Sequence, residues 1–120
     1  MRNYKILSGL LFVVLLAFSA TSFASKAREA WRMIEHGALL VDVRTPKEYH
    51  EGHLPGALLI PHRKVASRIG EFGEDKNRRI VLYCKGGVRA AKAQRVLQRN
   101  GFTRVFNAGG YEAMMDAKPH

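Results

Sequence analysis

Hydrophobic and polar positions follow two different periods along residues 25–120, and their alternation predicts helices and strands in turn. Ala27, Ala30, Trp31 and Ile34 recur at i, i+3, i+4 and i+7, one face of a helix, and Gly37 stands where that helix would stop. Leu39-Leu40-Val41-Asp42-Val43 is a short, nearly continuous apolar run, the pattern of a buried parallel strand. Pro46 to Glu51 can form a short helical turn with proline at its first position. Ala57 to Ile60 is a second apolar run closed by Pro61, and Val65, Ile69 and Phe72 suggest another short helix. Asp75-Lys76-Asn77 is turn chemistry, and Ile80-Val81-Leu82-Tyr83 reads as the central strand.

The strongest helix runs from Val88 to Arg99, with Ala90, Ala93, Val96 and Leu97 on one side and Arg89, Lys92, Arg95 and Arg99 mainly on the other. Asn100-Gly101 supplies its stop. Val105-Phe106 is a short strand, and Gly109-Gly110 leads into a weak final helix over Tyr111 to Ala117. Strands and helices alternating at this spacing predict an α/β domain with a mostly parallel central sheet flanked by helices. Such sheets bind ligands at the carboxyl ends of their strands. Cys84 falls at that end of the central strand.

The N-terminal segment has a different character. Arg2 and Lys5 precede an apolar run from Ile6 to Phe18, and small residues follow up to Ser22-Phe23-Ala24. That order is the pattern of a secretory signal peptide, so residues 1–24 are expected to be a leader cleaved after Ala24, with one domain over 25–120. The apolar run is shorter than the ~20 residues a spanning helix needs. Export implies a periplasmic location, no nucleic-acid partner and no stable membrane association after processing; a monomer is expected. The chain of 120 residues carries a formal charge of +10, which falls to +8 once Arg2 and Lys5 are removed. A basic surface attracts small anions and polyanions, although exposed cations such as Lys92, Arg95 and Arg99 are most simply solvated.

One cysteine excludes an internal disulfide, and its surroundings are not those of an inert core thiol. In Tyr83-Cys84-Lys85-Gly86-Gly87-Val88-Arg89 a strand delivers the sulfur, two glycines permit a tight turn, and a helix begins at once. The first amides of that helix lack intrahelical acceptors. Those amides, the positive helix end, Lys85 and Arg89 all favour an anion at the sulfur position, whether a thiolate, a persulfide or a dianionic donor.

At these residues the sequence resembles the rhodanese family, and the resemblance covers nearly all of residues 25–120. Asp42-Val43-Arg44, Glu48-Tyr49, Gly52-His53-Leu54-Pro55-Gly56-Ala57 and Ile60-Pro61 are similar to the family's N-terminal signature. Cys84-Lys85-Gly86-Gly87-Val88-Arg89 is similar to its active-site loop, and Asn107-Ala108-Gly109-Gly110-Tyr111 to its C-terminal signature. The resemblance implies a rhodanese-like domain of the exported single-domain type. It implies Cys84 as the sulfur-carrying nucleophile, with Lys85, Gly86, Gly87, Val88 and Arg89 binding the donor. Asp42 and Arg44 would support the loop from behind, while Glu48, His53, Pro55 and Gly56 would be structural. The implied reaction moves sulfane sulfur from thiosulfate to a thiophilic acceptor through a Cys84 persulfide, with no metal or organic cofactor.

Two other functions remain open to the sequence. A non-catalytic sulfur carrier or binding module could keep the fold without turnover. A phosphatase of related fold would need five residues between cysteine and arginine, whereas four separate Cys84 from Arg89. His50, His53 and His62 cluster in sequence, but their spacing fits no zinc motif, and they are expected to be surface or structural residues.

Overall fold

The computed structural model describes residues 22–120, which form an α/β domain around one four-stranded sheet. The proposed leader, residues 1–24, lies outside the described residues except for residues 22–24. Those three form the start of a helix, α1, described over 22–35. After it come β1 (Leu39–Asp42), α2 (Pro46–Glu51), β2 (Leu58–Leu59), 3-10 turns at His62–Lys64 and Ile69–Phe72, and β3 (Arg79–Cys84). The chain ends with α3 (Val88–Arg99), β4 (Arg104–Gly110) and α4 (Tyr111–Asp116).

All strand pairs are parallel, in the order β2-β1-β3-β4, so β3 is covered on both edges. Five of its six residues are buried, which explains its unbroken apolar reading. The period-two alternation of a strand then assigns its side chains to two cores. Ile80, Leu82 and Cys84 join Val41, Val43, Phe72, Ala90, Ala93 and Leu97 beneath α3. Val81 and Tyr83 join Ala27, Ala30, Trp31 and Met114 beneath α1 and α4. Each aliphatic side chain buried this way contributes about 1.5–3 kcal/mol. Trp31 also ties α1 to α4, donating its Nε1–H to the Met114 carbonyl at 2.7 Å.

Several elements depart from the sequence expectations. In place of the helix expected over Val65 to Phe72, a 3-10 turn at His62–Lys64 ends at Val65 and a second covers Ile69–Phe72, with Val65 and Phe72 buried as anchors. The run Ala57 to Ile60 contributes a strand of only Leu58–Leu59. β4 runs through Gly110 rather than ending at Phe106, because Asn107 to Gly110 continues along β3 with a shifted register. Leu82 pairs with Asn107 but Cys84 with Gly110, leaving Ala108 and Gly109 as a bulge opposite Tyr83. Gly109 accommodates it at φ +89. Among the described residues, no helix is long and apolar enough to cross a membrane.

Candidate active site

Cys84 is the last residue of β3 and is 1% exposed, with its sulfur facing the start of α3. Its Sγ accepts the Gly87 N–H at 2.9 Å. Gly87 is the N-cap of α3 at φ +100, a conformation that favours glycine, and it has no side chain with which to cap the helix. The amides of Val88, Arg89 and Ala90 therefore have neither intrahelical acceptors nor a capping side chain. They make the positive end of α3, at which the Gly87 N–H meets the sulfur.

The bulge in β4 supports this loop. Asn107 donates Nδ2–H to the Gly87 carbonyl at 3.0 Å, and its Oδ1 accepts the Gly109 N–H at 2.9 Å. A Cβ on Gly110 would clash with the Lys85 carbonyl oxygen, so the strand can lie against the loop only because Gly110 has no side chain. The sequence shows the Asn107–Tyr111 run as a signature but does not by itself place it against the loop. The available signal was the run of small residues, which marks close backbone approach.

The expected loop cations separate in space. Lys85 is exposed beside a cleft of about 250 Å³ lined also by Arg44, Glu48, Glu51, Tyr111 and Glu112. Arg89 turns to α2 instead, where its two terminal nitrogens meet the Glu48 carboxylate at 2.7 and 3.0 Å. Glu48 is itself fixed by a capping box with Thr45. The Arg89 hydrogen bonds pull the Glu48 carboxyl down to about 2. Glu48, expected to be structural, is therefore the partner that positions Arg89. Val88 is 69% exposed at the loop's outer edge, and Gly86 is exposed beside it.

Asp42 and Arg44 form a buried pair behind the site. Arg44 donates Nε–H and Nη2–H to the carboxylate, the shorter contact being 2.6 Å, and also donates to the Gly52 carbonyl at 2.7 Å. Its guanidinium lies 4.6 Å from the Tyr111 ring centre and 5.5 Å from that of Tyr83. The Tyr83 hydroxyl donates to Asp42 Oδ2 at 2.7 Å and accepts the Leu54 N–H at 3.0 Å. Burial, then the bond to Asp42, pushes the Tyr83 phenol above its ordinary value. This network locks the residue before Cys84; the direct polar tie to the loop comes from Asn107.

His53 stacks on Tyr49 at 3.6 Å, and His62 lies in the 3-10 turn that packs on α3. Among the described residues, no three His, Cys, Asp or Glu side chains are grouped as a metal site. A larger cleft of about 490 Å³ lies at the opposite end of the sheet, lined by His36, Arg79 and Arg104 among others, and contains no cysteine.

Residues 26–117 match the family described as the Rhodanese-like domain. The thiosulfate sulfurtransferase PspE of Escherichia coli K12 is 36% identical over 100 residues, covering 83% of this chain and 85% of that protein. A tRNA uridine(34) hydroxylase of Hamiltonella defensa is 37% identical over 90 residues, which are 71% of this chain but 25% of that longer protein. Among solved structures, a rhodanese with anions from E. coli superimposes with a TM-score of 0.61 at 36% identity, covering 64% of this chain and 91% of that one.

Proposed function

The chain belongs to the rhodanese-like domain family, and from that premise we propose that it is a thiosulfate sulfurtransferase working through a persulfide on Cys84. The observation that carries the reading is the Cys84 sulfur at the carboxyl end of β3, bonded to the Gly87 amide at the uncapped start of α3. The thiolate attacks the sulfane sulfur of thiosulfate, and the S–S bond of the donor breaks with its electron pair leaving on sulfite. The new outer sulfur carries its negative charge into the ring of loop amides, which need not move to receive it. A thiol or cyanide acceptor then attacks that sulfur and returns Cys84 to the thiolate.

Lys85, which is in no ion pair among the described residues, attracts the donor. Arg89 contributes its field while Glu48 holds it in place. With Arg89 turned to Glu48 and only four residues between it and Cys84, the loop suits a sulfur atom better than a phosphoryl group. We further propose that residues 1–24 direct export to the periplasm and are removed. Mass measurement of the chain recovered from that compartment tests this, and an intact Met1 terminus would overturn it.

Intact mass after thiosulfate treatment is the test of mechanism. A gain of one sulfur, absent in Cys84→Ala, is expected. A folded wild-type protein that gains no sulfur refutes the mechanism.

A further inference from the structure

The acidic and basic side chains are not mixed evenly over this domain. No Asp or Glu occurs between Asp75 and Glu112, a stretch that includes β3, the Cys84 loop, α3 and β4. None occurs between Glu51 and Glu71 either, and that stretch includes the 3-10 turn His62–Lys64, which packs on α3. Arg63, Lys64, Lys92, Arg95 and Arg99 are all exposed, and none is in an ion pair among the described residues. That packing brings Arg63 of the turn and Lys92 of α3 near enough to His62 for their charges, after burial, to push its imidazole below the ordinary value. The acidic residues lining a cleft at the loop, Glu48, Glu51 and Glu112, lie on its α2 and α4 side.

We propose that this cationic face of α3 and the His62–Lys64 turn is a docking surface for an acidic protein that presents the thiol accepting sulfur from Cys84. The proposal rests on the sulfur-transfer reading above. The face begins at the sulfur and runs away from it for the length of α3, about 18 Å. A partner seated along it brings its own thiol to the loop mouth, where Val88 offers an exposed apolar contact. An anionic membrane is the poorer occupant, because the exposed positions of α3 hold no aromatic or leucine side chain to insert. In the transfer the partner's thiolate attacks the outer sulfur of the persulfide. A new S–S bond forms on the partner, the Cys84 S–S bond breaks, and Cys84 leaves as the thiolate, with no net oxidation.

The test uses wild-type protein loaded with sulfur from thiosulfate and freed of donor. It is mixed with dithiothreitol or with synthetic peptides holding one Cys among either Asp and Glu or Lys residues, and transfer is followed by intact mass. The acidic peptide is expected to react at least about tenfold faster than the basic one at low salt. That gap should close near 1 M salt, where exposed charges are screened within about 3 Å. Lys92→Glu should narrow the preference, and Arg63→Glu combined with Lys92→Glu and Arg95→Glu should invert it, with the dithiothreitol rate unchanged in both. Equal peptide rates with normal transfer to dithiothreitol overturn the docking surface while leaving sulfur transfer standing. Failure to load any sulfur refutes the underlying function instead. Slower thiosulfate loading in the triple variant with an unchanged peptide preference also overturns docking, as does wild-type binding to anionic vesicles with no preference between peptides.

Discussion

Gly110→Ala separates the position of the active loop from the stability of the fold. Gly110 has φ −110 and ψ 152, an ordinary extended conformation, so alanine brings no backbone strain and acts only through the space it fills. Its Cβ would clash with the Lys85 carbonyl oxygen and lie 3.2 Å from that carbonyl carbon and 3.7 Å from Gly86 Cα. Backbone atoms cannot rotate away as a side chain would. Relieving the clash with the carbonyl oxygen, the closest of the three contacts, requires the loop to back off by roughly 1 Å. Overpacking of this kind costs about 1–3 kcal/mol, and the exposed Lys85-Gly86 segment can yield toward solvent, which favours the lower end. About 1 kcal/mol lowers the melting temperature of a domain this size by roughly 4–8 °C. The same displacement carries the Gly87 amide away from Sγ, and a 1 Å misplacement can cost about 100-fold in rate. Persulfide formation timed by intact mass should therefore fall about 100-fold while the melt moves by a few degrees. Gly70→Ala, with nothing within 4 Å of its Cβ, is the control and should match wild type. A wild-type rate in Gly110→Ala would show that the loop's position is not set by β4.

Glu48→Gln should cost about 1 kcal/mol in urea unfolding at pH 7, the scale of a partly exposed ion pair. Glu48 is pulled down to about 2 in the folded chain, so its contribution is present above its ordinary value near 4.5 and is lost as pH falls toward 2. The gap between wild type and Glu48→Gln should close over that window, and a gap independent of pH would refute the pairing. Tyr83→Phe leaves the Leu54 N–H unpaired and removes a donor from Asp42, at about 2 kcal/mol by urea unfolding. A cost below about 0.5 kcal/mol would mean that water or rearrangement replaces the hydroxyl. Asp42→Ala leaves the Arg44 guanidinium buried without its partner and should cost about 3–5 kcal/mol; a near-neutral result would show that Arg44 escapes to solvent.

The parts of this fold visible in the sequence are those that local pattern determines. β3 announces itself because both its faces are buried, and α3 because its apolar stripe is regular and glycines flank it. Local pattern predicts only Val105-Phe106 of β4, because Asn107-Ala108-Gly109-Gly110 has the composition of a turn. Its extended state depends on pairing across the bulge with a strand more than twenty residues earlier. The Val65–Phe72 region has helical spacing, but it buries only single anchors from short turns and never presents a continuous stripe. Cys84 and its glycines could be read directly, since strand, sulfur and helix start are contiguous. Glu48 could not, because its partner Arg89 lies 41 residues away and a capping box already accounts for a glutamate at that position.

The Glu48–Arg89 pair changes what the four-residue gap after Cys84 means. Spacing alone describes a ring smaller than one that would encircle a phosphoryl group, with arginine still expected to close it. In the fold Arg89 leaves the ring and is held from outside by Glu48, while Asn107 holds Gly87 from the other side. What remains at the sulfur is backbone N–H, whose positions are fixed by the strand end and the helix start. If Cys84 carries sulfur as proposed, the single outer sulfur of its persulfide is matched by such a rim without a guanidinium fork, and the oxygens of the thiosulfate donor fall to the exposed Lys85. On the proposed mechanism, the long-range contacts around Arg89 bear on the cargo as much as the cysteine does, and Gly110 and Asn107 are the positions where the loop meets β4.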